Sequence, residues 1–182
     1  GTGQAPWQPQ DQTAPQNAYG HSKLAGETGI ADSGGTYAIL RTSWVVSAHG
    51  ANFIKTMLRL SETRDALNIV GDQIGGPTPA RDIALACLQI ADQLTQDPSK
   101  SGTYHFSGAP DVSWADFASA IFDQAGKSVA VTATPTTDYP TPAQRPLNSR
   151  MDCTATKRAF GIERPDWVTG LKLIMDDLEA SI

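Results

Sequence analysis

Apolar residues recur along this chain with two periods. Phe53, Met57 and Leu60 fall at helical spacing. Ile83, Ala86, Cys87, Ile90 and Leu94 make a second stripe, and Trp114, Phe117, Ala118, Ile121 and Phe122 a third. Each stripe predicts a helix with one buried face. Between them lie short β-rich runs: Tyr37–Thr42, Leu67–Val70, Thr103–Phe106 and Val129–Thr132. The first is apolar almost throughout, as a parallel strand covered on both faces is. Strands alternating with helices predict an α/β fold, with the early part reading as the second half of a doubly wound sheet.

Local signals sharpen the boundaries. Residues 1–16 are rich in Gln, Pro and Gly and read as an irregular loop, followed by a helix from about Asn17 to Ile30. Gly34-Gly35 breaks the chain before the first strand. Thr78-Pro79 reads as the cap and first position of a helix. Ser113 and Asp116 have the spacing of a capping box. The stretch 135–146 is a Pro-rich loop. Two helices close the chain, about Cys153 to Phe160, stopped by Gly161, and about Trp167 to Glu179.

The net charge of −5 argues against a general phosphate-backbone binder. An anionic ligand would need local cations, for which Lys55, Arg145 and Arg150 are candidates. No apolar run approaches membrane-spanning length. The two cysteines match no metal spacing, and Cys87, on an apolar stripe, reads as a small core residue. A reducing cytoplasm is the simplest compartment. The three histidines do not cluster. His21 reads as solvated, His105 as packed in a strand, and His49 as part of a Gly-flanked loop.

Candidate chemistry concentrates in Asn17-Ala18-Tyr19-Gly20-His21-Ser22-Lys23-Leu24-Ala25-Gly26-Glu27. Tyr19 and Lys23 lie one turn apart on the same helix face. A phenol in water ionises only near pH ~10, and a neighbouring ammonium favours the phenolate. Such a pair suits proton transfer to a carbonyl oxygen while hydride arrives at carbon. Two exposed residues on an amphipathic helix are the alternative.

The wider sequence resembles one family. Tyr-Gly-x-Ser-Lys-Leu-Ala-Gly-Glu is similar to the active-site helix of extended short-chain dehydrogenases/reductases. The segments 39–45 (Ile-Leu-Arg-Thr-Ser-Trp-Val), 52–58, 72–78 (Asp-Gln-Ile-Gly-Gly-Pro-Thr) and 145–150 (Arg-Pro-Leu-Asn-Ser-Arg) resemble the dTDP-4-dehydrorhamnose reductases, in that family's order and approximate spacing. The likeness covers nearly the whole chain, including Gly1-Thr2-Gly3 and Pro6-Trp7. It implies a Rossmann-like NAD(P)-binding fold with a small α/β substrate-binding lobe. It implies reduction of the C4 keto group of dTDP-4-dehydro-L-rhamnose to dTDP-L-rhamnose by NADPH or NADH. Tyr19 would be the acid. Lys23 would steady it and hold the nicotinamide ribose.

The same resemblance places Thr42 and Ser43, with Arg41, near the nicotinamide, or merely at the end of a strand. Trp44 would pack on the sugar, or in the core. Asn52 would meet the substrate diphosphate, or cap a helix, or both. Arg145 and Asn148, with Arg150, would bind substrate, or form a surface loop. Gln73, Gly75, Pro77 and Thr78 read as structural. Arg81 stands where a family member that bridges a dimer through Mg²⁺ would place a carboxylate, so no metal is carried over.

The departure from the family pattern is equally informative. No Gly-x-Gly-x-x-Gly turn before a helix occurs, and the family's catalytic Ser/Thr is expected just before Gly1. The chain is therefore expected to be a C-terminal portion lacking the Gly-rich Rossmann half, and inactive alone. Residues 1–50 are expected to be a remnant of the Rossmann domain. Residues 51–182 would be mainly the substrate-binding lobe, with some segments returning to the sheet. Exposed sheet edges would favour a homodimer or other association. Partners are expected to be a dTDP-sugar, with no nucleic acid and no membrane. Two other functions fit the pattern. One is another nucleotide-sugar reductase, epimerase or dehydratase. The other is a non-catalytic regulatory subunit, like the relatives that accompany methionine adenosyltransferase.

Overall fold

The computed structural model describes residues 3–139 and 145–180. Gly1-Thr2 and the middle of the Pro-rich stretch, 140–144, lie outside the described residues. The chain runs α1 (Ala18–Asp32), β1 (Ala38–Arg41), β2 (Val45–Val46), α2 (Phe53–Ser61), β3 (Ala66–Val70), β4 (Ile74–Gly75), β5 (Thr78–Pro79) and α3 (Ala80–Gln96). It continues through β6 (Gly102–His105), β7 (Val112–Ser113), α4 (Trp114–Gln124), β8 (Ala130–Thr134), β9 (Asn148–Ser149), α5 (Thr154–Phe160) and α6 (Trp167–Glu179).

This is a mixed α/β fold with parallel pairings. β1 pairs with β6, Ala38 opposite Gly102 and Arg41 opposite His105. The connection passes through α3, whose Ile90 and Leu94 meet Phe160 beneath Ala38, Leu40 and Tyr104. β3 pairs with β8 in the same sense, from Ala66–Ala130 to Val70–Thr134. Two-residue strands complete the frame: β2 lies beside β5, and β4 lies between β7 and β9.

The larger core gathers Ile54 and Met57 of α2, Phe117, Ile121 and Phe122 of α4, and Leu171, Ile174 and Met175 of α6 around Leu67. Burial of each large side chain is worth about 1.5–3 kcal/mol, so these stripes hold the elements around this core together. Ser113 and Asp116 form the capping box that starts α4. Gly161, at φ 72°, ends α5. Among the described residues no helix is long and apolar enough to cross a membrane.

Two local expectations need correction. Thr78-Pro79 does not begin a helix; it is β5, and α3 starts at Ala80 with no side-chain cap. The Thr78 hydroxyl lies 2.7 Å from the Ser43 carbonyl oxygen and 3.0 Å from that of Gly76, and it accepts the Gly108 N–H at 3.1 Å. It joins three segments and is unavailable as a cap. Cys87 is exposed rather than buried. Ala86, Ile90 and Leu94 face inward at intervals of four, and Cys87 falls on the flank of that stripe.

The opening loop is irregular but docked. The Trp7 N–H donates to the Arg150 carbonyl at 3.0 Å, and the Asp152 N–H donates to the Trp7 carbonyl at 2.8 Å.

Candidate active site

The Asn17 side chain accepts the Gly20 N–H at 2.9 Å and starts α1 there. Gly20 allows a close approach: a Cβ at that position would lie 3.0 Å from the Pro15 Cβ. One turn on, the Lys23 ammonium stands 5.6 Å from the centroid of the Tyr19 ring, within cation–π range. The dyad is therefore assembled by α1 alone. Tyr19 is 71% exposed.

A cavity of about 490 Å³ opens between α1, the carboxyl end of β1, the loop 7–16 and residues 146–151. Ligand pockets commonly span roughly 300–1,000 Å³. Lys23, Thr42, Ser43 and Asn148 all line it, together with Glu27, Arg41 and His105. Tyr19, Trp44, Asn52 and Arg145 are not among its lining residues. A larger cavity of about 590 Å³ lies between β1 and α3, but it is mainly apolar and holds none of the candidate residues.

Thr42 places an unpaired polar atom in the wall of this cavity. Its Oγ1 is buried without a hydrogen-bond partner among the described residues. Such an atom costs about 1–3 kcal/mol when left unpaired. Ser43, next to it, directs its hydroxyl to the Gly76 carbonyl at 3.4 Å.

His105 lies beneath the cavity, buried at the end of β6. Its Nδ1–H donates to the Trp7 carbonyl at 3.0 Å, which leaves Nε2 bare in the neutral ring. Burial holds its pKa below the ordinary histidine value, against the pull of that bond; the Arg41 cation pushes the same way as burial.

The other candidates are occupied by the fold. Trp44 has a positive φ of 48°. Its indole is stacked on Trp114, so one ring face is covered by protein. Asn52 caps α2, accepting the Lys55 N–H at 3.3 Å and donating to the Ser47 carbonyl at 2.6 Å. Asn148 is buried; it donates to the Ala5 carbonyl at 2.8 Å and accepts the Arg150 N–H at 3.2 Å. Its own carbonyl takes the Trp7 indole N–H at 3.2 Å. Asn148 thus ties the opening loop to β9 at the cavity wall. Arg145 is exposed. Arg150 turns to the Asn148 side chain at 3.3 Å, and Lys55 to the Ala48 carbonyl at 3.2 Å.

The pairing of Arg41 with Glu27 is a part of this wall that residue patterns did not single out. Arg41 and Glu27 form a forked ion pair with a closest approach of 2.6 Å. Glu27 lies one turn beyond Lys23, so the i, i+4 rule was the available signal. No group of three or more His, Cys, Asp or Glu gathers as a metal site among the described residues.

Comparison with known proteins gives a consistent picture. The RmlD substrate binding domain matches residues 1–180. A dTDP-4-dehydrorhamnose reductase of Aggregatibacter actinomycetemcomitans is 48% identical over 167 residues, covering 88% of this chain and 57% of the relative. The crystal structure of a dTDP-4-dehydrorhamnose reductase from Clostridium acetobutylicum matches with a TM-score of 0.90 and 36% identity, over 97% of this chain and 61% of that one. The Bacillus anthracis dTDP-4-dehydrorhamnose reductase, solved in complex with NADP, matches with a TM-score of 0.83 and 34% identity, over 94% and 59% of the two chains. The chain spans about three-fifths of the length of these relatives.

Proposed function

The chain belongs to the RmlD substrate binding domain family, and from that premise we propose that it supplies the proton donor and sugar-binding wall of a dTDP-4-dehydrorhamnose reductase. The single observation that carries this reading is the shared cavity. Lys23, paired with Tyr19, meets the unpartnered Thr42 hydroxyl at the carboxyl end of a parallel strand. Ligands of open α/β sheets bind at such strand ends.

NADPH or NADH, when bound, supplies the hydride for C4 of the 4-keto sugar. Lys23, Thr42 and Ser43 fit the nicotinamide side: an ammonium for ribose hydroxyls, and two hydroxyls beside it. Tyr19 gives its phenolic proton to the C4 oxygen, so the carbonyl gains one hydride and one proton in total. Lys23 favours the phenolate left behind. Trp44 and Asn148 shape the sugar side. Asn52 and Arg145 serve the nucleotide end, Asn52 through the helix terminus it caps. Residues 1–50 work with the cofactor layer, to which β6 returns by pairing with β1, and 51–182 form mainly the sugar lobe. The two unpaired cysteines suit a reducing cytoplasm.

The test is NADPH oxidation by the full-length protein given dTDP-4-dehydro-L-rhamnose, beside its Tyr19→Phe variant. Loss of the acid is expected to lower kcat by about 10²–10⁴. No turnover by a folded, NADPH-binding protein would overturn the reading in favour of another nucleotide sugar or a regulatory subunit.

A further inference from the structure

Tyr19 and Lys23 can act on one ligand only if α1 keeps a fixed place against the end of β1. Within this chain the Arg41 guanidinium joins the two elements. Arg41 Nε donates to the two Glu27 carboxylate oxygens at 3.0 and 3.1 Å, and Nη2 donates to Glu27 Oε2 at 2.6 Å. Its remaining arm, Nη1, donates to the Pro9 carbonyl at 3.2 Å.

The placement of these groups matters as much as their distances. Arg41 ends β1 and immediately precedes Thr42. Glu27 lies one turn past Lys23 on α1. The opening loop, the dyad helix and the strand end therefore meet at Arg41, and both partners line the cavity shared by Lys23 and Thr42. Their side chains are 22% and 21% exposed. The pair is therefore partly buried, and removing one partner leaves the other charge partly desolvated. A forked guanidinium–carboxylate contact does restrict orientation, which a point charge does not.

We propose that Glu27–Arg41 is a positioning pair, setting where Tyr19 and Lys23 stand relative to Thr42 and Ser43. The inference rests on the reading of Tyr19 and Lys23 as the proton-donating dyad.

Glu27→Gln keeps the shape of the side chain and removes its charge. Two measurements separate the proposal from the functional reading beneath it. In the full-length protein, amide hydrogen exchange in α1 is expected to rise about tenfold in Glu27→Gln, with α4 unchanged, because only local opening is affected. In the full-length protein, kcat is expected to fall about 10–100-fold, with KM for the sugar within about threefold, as misplacement of a reacting group does. The exchange variant, Glu27→Arg with Arg41→Glu, is expected to recover part of that loss. Unchanged exchange in α1, a Glu27→Gln kcat within about twofold of the parent, or no recovery in a folded exchange variant would each overturn the pair's role. A full-length parent without turnover would count against the reductase reading instead, and amide exchange would then decide the pair by itself.

Discussion

Trp44 lies flat on Trp114, with ring centroids 3.6 Å apart and planes 12° apart. The contact holds a residue whose backbone has a positive φ of 48°, a conformation that costs a bulky side chain about 1–3 kcal/mol. The turn is clamped from a second side, because the Thr78 N–H donates to the Trp44 carbonyl at 3.0 Å. The strand end bearing Thr42 and Ser43 thus runs directly into a rigid corner.

Gly75 is part of that corner. A Cβ there would meet Trp44 Cε2 at 2.8 Å and the Ser149 Cβ at 3.2 Å. The ring is pinned by its stack and cannot swing away. Gly75→Ala is expected to lower unfolding free energy by about 1–3 kcal/mol, as overpacking does. Urea titration followed by near-ultraviolet circular dichroism measures it. An unchanged midpoint would show that the corner is softer than its contacts indicate.

Thr42→Val separates ligand binding from folding. The change removes an unpartnered buried hydroxyl and nearly keeps its shape, so stability is expected to stay level or rise by up to about 1 kcal/mol. The kcat/KM of the full-length protein is expected to fall about tenfold if the hydroxyl bonds a ligand. Paired melting curves and steady-state kinetics measure the two effects. A loss of stability with unchanged kinetics would assign Thr42 to the fold alone.

His105 makes stability depend on pH in a definite direction. Burial keeps its folded pKa below the unfolded value, near ~6.5. As pH falls through that value, the unfolded chain takes up the proton first, so stability decreases. The slope from this group cannot exceed about 1.4 kcal/mol per pH unit, the limit for one proton. Asp152 and Asp166 act in a lower window. Hydrogen bonds, led by the side chains of Thr154 and Thr169 respectively, hold their carboxyls below the ordinary range. Their contribution is present above about pH 4 and fades below it. Denaturant titrations at pH 7.5, 6.5 and 5.5 test the histidine term, and His105→Gln should flatten the dependence. The same slope in the variant would assign it elsewhere.

The two thiols should react differently. Cys87 is exposed on α3, whereas Cys153 is buried with its sulfur 3.8 Å from Ser107 Oγ. Burial also pushes the Cys153 pKa up, which starves it of thiolate. A thiol reagent should titrate one fast group in the native 182-residue chain and the second only on unfolding. Cys87→Ser should abolish the fast phase. A fast phase that survives it would place Cys153 in a loosely packed site.

Local pattern carried much of this architecture. The stripes at Phe53–Leu60 and Trp114–Phe122 marked real helices because burial on one face imposes the helical period. The Ser113–Asp116 box was legible because a cap is a contact between residues three apart. The Tyr19–Lys23 dyad was legible for the same reason, since one helical turn brings the pair together without the rest of the fold. The linked motifs, taken in order, were sufficient to point to the family.

Tertiary structure decided the contacts between distant segments. Two-residue strands such as β2 and β5 have no period to read, so Thr78 looked like a helix cap until Ser43, Gly76 and Gly108 converged on its hydroxyl. Cys87 shares an apolar stripe, yet α3 turns Ala86, Ile90 and Leu94 inward and leaves Cys87 exposed on the flank. The Trp44–Trp114 stack and the Arg41–Glu27 fork depend on where the chain returns, not on neighbouring letters. The sequence determined that Tyr19 and Lys23 stand one turn apart on one helix. Only the tertiary arrangement of α1, the end of β1, the opening loop and β9 decided that Lys23, Thr42, Ser43 and Asn148 share one cavity, because a cavity is the space left between elements that no single segment encodes.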